Sequence, residues 1–201
     1  MKALIALFLT AFAAYAVSAY DRAIALVEEG DYKEAIKQYT IAVKEDPNNT
    51  KIYNDRAFAY FLSGDYNRSV EDLNAIIKRR PNDADIYYKR GIIYATLNDS
   101  NKAIADWTQT IKYDPTYRFA YIDRGEIYLK RKDYNKALAD FTKAIDLNSS
   151  DPEAYNLRAK VYLKLSDNDK MTKDAQKACD LGDCEALDFV NQSLDFLRRR
   201  K

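Results

Sequence analysis

Apolar and polar residues alternate along most of this chain with the period of amphipathic helices. The stretch 52–62 places its apolar side chains on one helical face, and the stretch 66–79 repeats apolar residues at the same spacing. Between the two stretches, Gly64 is a helix stop and Asp65 is a suitable N-cap. Pro81 follows the second stretch and ends the pattern. This part of the chain is therefore predicted to form a pair of helices joined by a short turn.

The same pattern recurs every 34 residues. Pro47, Pro81 and Pro115 keep this step, as do two series of tyrosines, one of arginines and one of aspartates. Self-similarity at such a period is typical of repeat proteins, in which each unit buries its apolar face against the next. Five units are predicted, over residues 16–49, 50–83, 84–117, 118–151 and 152–182.

The repeated positions resemble those of the tetratricopeptide repeat family. In the fourth unit, the aromatic and small positions of the family are occupied by Tyr121, Gly125, Tyr128, Ala137, Phe141 and Ala144. The resemblance covers residues 20–181 and implies an all-α fold, a right-handed superhelical solenoid of about five helix-turn-helix units. Leu187 begins an apolar stripe in residues 183–201, which are predicted to form a C-terminal capping helix and a basic tail.

Residues 1–19 have the pattern of a secretory signal peptide. Lys2 is the only charged residue before Asp21, and the apolar run after it ends in Val17, Ser18 and Ala19, which suits cleavage after Ala19. The run is shorter than the roughly 20 residues that cross a bilayer comfortably. We therefore predict an exported protein, periplasmic or secreted. The alternatives are an uncleaved N-terminal membrane anchor and a buried first helix.

Composition disfavours several classes of function. Lys plus Arg number 32 and Asp plus Glu number 31, a balance that argues against nucleic acid as a partner. The chain has no histidine, the commonest general base and metal ligand, and its five glycines form no phosphate-binding loop. We therefore predict no catalytic residue, no cofactor, no metal and no small-molecule substrate.

In four units the repeated arginine is followed, 16 residues later, by an aspartate on the second helix. A partly buried guanidinium needs a carboxylate partner, so we interpret these residues as a structural ladder. The tyrosines that keep the 34-residue register are interpreted as core. The ladder comprises Arg56 with Asp72, Arg90 with Asp106, Arg124 with Asp140 and Arg158 with Asp174.

The resemblance also implies a concave groove, lined by the first helix of each unit, that binds extended peptides. A hydrophobic or aromatic peptide segment would fit its aromatic and aliphatic side chains, with an acidic group or C-terminal carboxylate toward its lysines. The alternative is that the apolar members pack against neighbouring units and the lysines are only solvated. The predicted groove residues are Tyr20, Ile24, Asn54, Phe58, Phe61, Tyr88, Ile92, Phe119, Ile122, Glu126, Lys130, Asn156, Lys160 and Lys164.

Cys179 and Cys184 flank Gly182, at the junction between the fifth unit and the predicted capping helix. Two cysteines in an exported chain are a disulfide candidate, and a bridge here would fix the capping helix to the last unit. The junction resembles the cysteine-bearing junctions of Sel1-like repeat proteins, with a shorter spacing. Two free buried thiols are the alternative.

These observations predict a non-catalytic scaffold or adaptor that binds a protein or peptide in the periplasm or outside the cell. Because fold alone does not fix function, two alternatives stay open. One is an enzyme that acts on the envelope, with side chains such as Glu126 and Tyr88, or an accessory subunit of an envelope enzyme or assembly complex. The other is a membrane-anchored repeat protein. Weak self-association is also predicted at the N-terminal end, where Ala23, Leu26 and Val27 are expected to have few neighbours.

Overall fold

The computed structural model describes residues 18–188 and residue 191. Most of the predicted signal peptide, residues 1–17, lies outside the described residues. The same holds for most of the predicted capping helix and for the basic tail.

Between residues 18 and 188 the chain forms ten α-helices and no strands, which confirms the predicted all-α fold of consecutive helix pairs. We call the odd-numbered helices first helices and the even-numbered ones second helices. None of these described helices is long and apolar enough to cross a membrane. Residues 185–188 are again helical. The helices are α1 (Ala19–Glu28), α2 (Tyr32–Glu45), α3 (Thr50–Leu62), α4 (Tyr66–Arg79), α5 (Ala84–Thr96), α6 (Ser100–Tyr113), α7 (Arg118–Lys130), α8 (Tyr134–Leu147), α9 (Pro152–Lys164) and α10 (Asn168–Asp180).

The chain divides into two compact units, one ending at Ile86 and the other beginning at Tyr87. In unit 1, α1 packs against α2, α2 against α3 and α3 against α4. Its core contains alanines from α1, α2 and α3, together with Tyr39 and Ile52. Small residues at these positions let neighbouring helices approach closely, and the larger side chains fill the space beside them.

In unit 2, α6 packs against α7, α7 against α8, α8 against α9 and α9 against α10. Two first-helix glycines lie against large aromatic rings of the second helices. A Cβ atom at Gly125 would lie 2.8 Å from the ring of Phe141, and one at Gly91 would lie 2.6 Å from the ring of Trp107. Since such separations are shorter than van der Waals contact, only glycine lets the first helix lie this close to these rings.

The repeated aspartate immediately precedes each second helix. Asp133 makes no capping hydrogen bond and pairs with Lys136 at 2.7 Å. The residue before the aspartate has a left-handed backbone, which Gly64 adopts freely at φ +80° and which is less favourable for Lys132 at φ +63°. In the four helix pairs other than that of Asp133, the aspartate side chain accepts a hydrogen bond from the backbone N–H three residues later. These aspartates are Asp31, Asp65, Asp99 and Asp167.

The N-terminal end of unit 1 differs from the prediction. Ala23 is fully buried, and Leu26 and Val27 are partly buried against the same core cluster. The expectation that these three residues have few neighbours was wrong, because α2 packs against this face of α1. Self-association through this end stays a prediction.

Candidate functional site

The arginine ladder accounts for the most regular set of charged side chains. Arg56 on α3 donates from Nε and Nη2 to the two carboxylate oxygens of Asp72 on α4, at 2.8 and 2.7 Å. The two side chains are 13% and 7% exposed, so this bidentate, charge-assisted pair is largely shielded from solvent. The same arrangement recurs in Arg90 with Asp106, Arg124 with Asp140 and Arg158 with Asp174.

The ladder also crosses from one helix pair to the next, which sequence reasoning missed. Nη1 of Arg56 donates to Oγ1 of Thr40 on α2 at 3.2 Å, and the guanidinium lies 5.6 and 5.8 Å from the rings of Tyr53 and Tyr60. Surrounded in this way, the arginine has little capacity left for a ligand. In the sequence, this bond is indicated by a threonine that lies 16 residues before the arginine. The equivalent bonds join Arg124 to Thr108 and Arg158 to Thr142.

In unit 1, a hydrogen-bonded pair joins two neighbouring first helices. The phenol of Tyr20 on α1 donates to Oδ2 of Asp55 on α3 at 2.5 Å. Burial, and next the carboxylate of Asp55, raise the pKa of Tyr20, so the phenol stays protonated and continues to donate. Phe58 follows Asp55 by one helical turn and is 53% exposed. The first-helix surface of unit 1 thus presents a large aromatic side chain beside a fixed polar pair.

Unit 2 contains the same kind of pair between α5 and α7. The phenol of Tyr88 donates to Asp123, and the Tyr88 ring lies 4.7 Å from that of Tyr117. The pKa of the Asp123 carboxyl is raised to about 6. Burial is the largest cause, the charges of Glu126 and Glu153 act in the same direction, and the hydrogen bond from Tyr88 acts in the opposite one. This carboxyl therefore changes charge close to neutral pH, and its hydrogen bond with Tyr88 responds to pH.

Phe119 is the exposed aromatic side chain of α7, with 50% of its surface accessible. The guanidinium of Arg118 lies 4.3 Å from the centre of its ring. Arg118 also forms an ion pair with Asp151, which caps α9. Arg118 is therefore anchored to the next helix pair and contacts the ring of Phe119, while half of the phenylalanine stays open to solvent.

The predicted groove residues differ in exposure. Ile122 and Asn156 are buried, at 3% and 4%, which corrects their assignment to an accessible surface. They share the repeat position of Tyr20 and Tyr88, and Ile122 belongs to one core cluster with Leu157 of the next first helix, α9. The exposed members are Phe58, Phe119, Lys130, Lys160 and Lys164, and the half-buried ones are Tyr20, Ile24, Asn54, Phe61, Tyr88, Ile92 and Glu126.

A cleft of about 740 Å³ in unit 2, which we call the lysine cleft, brings the three predicted lysines together. Lys130 ends α7, and Lys160 and Lys164 lie one turn apart on α9. Sequence reasoning missed the acidic wall of the cleft, formed by Glu185 and Asp188, where Oε1 of Glu185 lies 3.9 Å from Nζ of Lys160. The full lining comprises Leu129, Lys130, Lys160, Leu163, Lys164, Glu185 and Asp188.

A disulfide joins Cys179, near the end of α10, to Cys184. The turn between them contains Gly182 at φ +102°, a conformation that favours glycine. Beyond the disulfide, Ala186 and Leu187 pack against a core cluster from α9 and α10. The covalent bond and these apolar contacts together place the acidic wall at the lysine cleft.

The first-helix surfaces offer aromatic rings, paired hydrogen-bonding groups and ammonium charges. These groups are suited to non-covalent recognition, in which buried aromatic anchors and complementary charge determine affinity and specificity. Among residues 18–188, no group of three or more acidic or cysteine side chains is placed to hold a metal ion.

Solved structures with the same fold include several repeat proteins. A crystal structure of MamA is 24% identical, with a TM-score of 0.73 and coverage of 80% of this chain and 92% of that one. MamA 41-end from Desulfovibrio magneticus RS-1 is 18% identical, with a TM-score of 0.73 and coverage of 81% and 92%. YrrB, reported as a TPR protein with an unusual peptide-binding site, is 15% identical, with a TM-score of 0.71 and coverage of 89% and 92%. At these identities the similarity shows the fold.

Family models match most of the chain between residues 26 and 181. One described as TPR repeat matches residues 125–166. A second, described as tetratricopeptide repeat, matches residues 26–93. A third with the same description matches residues 84–117 and 152–181. No significant match was found among curated proteins. The segments 84–117 and 152–181 each contain one complete helix pair of the structure, and the chain belongs to the tetratricopeptide repeat family.

Proposed function

We propose that this chain is a non-catalytic module that binds a segment of a protein partner on the surface of its first helices. The observation that carries the proposal is the exposure of Phe58 and Phe119, which are 53% and 50% accessible. Among the described residues they are the two most exposed large hydrophobic side chains, and both lie on first helices. Exposed aromatic side chains of this kind are typical anchors of protein interfaces.

The polar pairs beside these aromatic side chains support the proposal. Tyr20 is bonded to Asp55 in unit 1, and Tyr88 to Asp123 in unit 2. A surface whose polar groups are already held in place loses less conformational entropy on binding than a mobile one. YrrB, which has the same fold, is a TPR protein with an unusual peptide-binding site, and a peptide ligand for this chain is consistent with that description.

The proposed module acts as a scaffold or adaptor in the periplasm or outside the cell. The signal pattern of residues 1–19 supports export. The disulfide between Cys179 and Cys184 supports it as well, because disulfides persist mainly in oxidising compartments.

The test is the double substitution Phe58→Ala and Phe119→Ala. Peptides are first selected against the full chain from a random displayed library, and their dissociation constants are then measured by fluorescence anisotropy. We expect the double variant to bind the selected peptides at least about tenfold more weakly, because the aromatic anchors are lost. Its thermal unfolding should stay close to that of the unchanged chain, since both side chains are half exposed.

The matched control is the double substitution Ile41→Ala and Leu97→Ala. Both side chains are 41% exposed, and neither lies on a first helix. The control variant should bind the selected peptides with unchanged affinity. Equal losses in the two variants, or full binding by the variant without Phe58 and Phe119, would show that the first-helix surface is not the binding surface.

A further inference from the structure

We propose that the lysine cleft binds an acidic amphipathic helical segment of the partner protein. This inference rests on the proposed peptide-binding function and identifies the chemistry of one part of the bound segment.

The cleft combines ammonium groups with apolar surface. Within residues 18–188, neither Lys130 nor Lys164 has a carboxylate at ion-pair distance, whereas Lys160 has Glu185 at 3.9 Å. Leu163 in the same lining is 36% exposed. A segment with both carboxylates and aliphatic side chains would neutralise the free charges and cover the apolar surface at the same time.

The chain's own residues 185–188 show that this chemistry fits. Their sequence is Glu-Ala-Leu-Asp, and they form a helical turn. Glu185 approaches Lys160, while Ala186 and Leu187 pack against the core of α9 and α10. The acidic side of this helical turn thus lines one part of the cleft, while its aliphatic side packs against the adjacent core. Lys130 and Lys164 leave room for a second segment with the same pattern.

The acidic wall disfavours extended polyanions. A membrane of anionic lipid or a nucleic acid strand presents phosphate throughout its surface, and Glu185 and Asp188 would repel it. A helical peptide can turn its carboxylates toward Lys130 and Lys164 and its aliphatic side chains toward the leucines. A peptide segment is therefore the occupant that the mixed charge of the cleft fits best.

Glu185 and the bound segment compete for Lys160. Both place a carboxylate near the same ammonium group, so neutralising Glu185 should release Lys160 for the ligand. The inference therefore requires two opposite effects. Removing lysine charge weakens binding, and removing the charge of Glu185 strengthens it.

The experiment uses the full chain and two synthetic fluorescent peptides with blocked ends. One peptide contains three copies of Glu-Ala-Leu-Asp, and the other contains three copies of Gln-Ala-Leu-Asn. We expect the acidic peptide to bind at least about tenfold more tightly than its amide counterpart. The double substitution Lys130→Gln and Lys164→Gln should weaken binding of the acidic peptide by about tenfold. Glu185→Gln should strengthen it by about threefold, and added salt should weaken it in the unchanged chain.

The matched control is the double substitution Lys143→Gln and Lys177→Gln, which removes two exposed lysines from α8 and α10. This variant should bind the acidic peptide as the unchanged chain does. The inference is overturned if the control loses as much affinity, if both peptides bind equally or if the cleft variants bind normally. It is also overturned if Lys130 and Lys164 instead control sedimentation with phosphatidylglycerol vesicles or self-association of the chain.

Failure of this inference can be told apart from failure of the proposed function. If the cleft variants leave the acidic peptide unaffected while loss of Phe58 and Phe119 still abolishes binding of the selected peptides, only the assignment of the cleft is wrong. If neither pair of substitutions changes any peptide affinity, the proposed function is wrong as well.

Discussion

The same repeat position carries different side chains in different units, and its neighbours determine what each one does. Tyr20 and Tyr88 donate to a carboxylate on the next first helix, whereas Ile122 shares an apolar cluster with Leu157 at the equivalent place. Residue type therefore switches this contact between first helices from polar to apolar. In the polar form it also introduces a partly buried carboxyl group whose charge depends on pH.

Replacing Asp123 by asparagine should remove a pH-dependent loss of stability. The pKa of Asp123 is raised by burial from an ordinary value of 3.8 to about 6, so between these values the folded state binds more protons than the unfolded state. Stability contributed by this group is therefore lost as pH rises from about 4 to about 6. We expect Asp123→Asn, which keeps an acceptor for Tyr88, to be about 2 kcal/mol more stable than the unchanged chain at pH 7 and similar at pH 3.5.

Urea unfolding of both proteins at several pH values measures this difference. Asp146→Asn, at an exposed position of α8, is the control and should leave the pH profile unchanged. If Asp123→Asn lowers the free energy of unfolding at every pH, the ionised carboxylate is itself required and the sign of the argument is wrong.

Sequence periodicity predicted the arginine–aspartate pairs because their spacing is constant, but it predicted neither their third partner nor the burial of two groove residues. Thr40 repeats only in some units, so its hydrogen bond with Arg56 is recognised only once the two helices are seen side by side. Ile122 and Asn156 were assigned to the groove by their position on the first helix. Their burial depends on packing by other elements, which a single helix period does not report.

The side chains that lie between the two helices of a pair differ in size from one pair to the next. Where the first helix has Gly125, the second has Phe141, and their contact leaves no room for a Cβ atom. In the fifth pair the corresponding residues are Ala159 and Ala175, which share one cluster with Met171. The space between paired helices is thus filled by different combinations of small and large side chains and not by one fixed residue pair.

Gly125→Ala should destabilise the chain even though alanine favours helix. The added methyl group would lie 2.8 Å from the ring of Phe141, and overpacking of this kind typically costs about 1–3 kcal/mol. The gain in helix propensity, about 1 kcal/mol, offsets part of this cost. We expect a net loss of about 1 kcal/mol in the free energy of unfolding, measured by urea denaturation.

The second substitution Phe141→Leu tests the physical reason. If the clash is the cause, Gly125→Ala should be less harmful in the Phe141→Leu background than alone, giving a favourable coupling in the double-mutant cycle. Additive effects of the two substitutions would show that the methyl group is tolerated by movement of the helices and that the ring does not limit their approach.

The helix pairs could be predicted from the sequence because turns, caps and apolar faces all repeat together. The lysine cleft could be predicted only in part. Lys130, Lys160 and Lys164 were recognised as a set on first helices, but the acidic wall comes from residues beyond the last unit. Its position depends on the disulfide and on the packing of Leu187, contacts that follow no period.

For the whole molecule, export would change the beginning of α1 and fix the state of the cysteines. Ser18 caps α1 by accepting a hydrogen bond from the backbone of Asp21, and cleavage after Ala19 would remove that cap. Removal of Lys2 with the signal would also leave equal numbers of basic and acidic residues, 31 of each, from 32 − 1 and 31. The exported chain would therefore have no net charge to attract phosphate-rich partners.

Intact mass spectrometry of the protein from its own host tests export and the cysteine pair together. We expect a chain that begins at Tyr20 and whose cysteines are alkylated only after reduction. Export through a signal peptide removes residues 1–19, and an oxidising compartment maintains the disulfide between Cys179 and Cys184. A chain that begins at Met1 and reacts with the alkylating reagent without reduction would contradict export.

The bond from Arg56 to Thr40 has a consequence for how the array unfolds. Thr40, Arg56 and Asp72 lie on three successive helices, so one guanidinium belongs to two helix pairs at once. If one pair frays, the adjacent pair loses a hydrogen-bond partner as well as apolar contact. Within each unit the arginines therefore add a nearest-neighbour coupling energy, and the helical hairpins should lose hydrogen-exchange protection as cooperative blocks instead of one hairpin at a time.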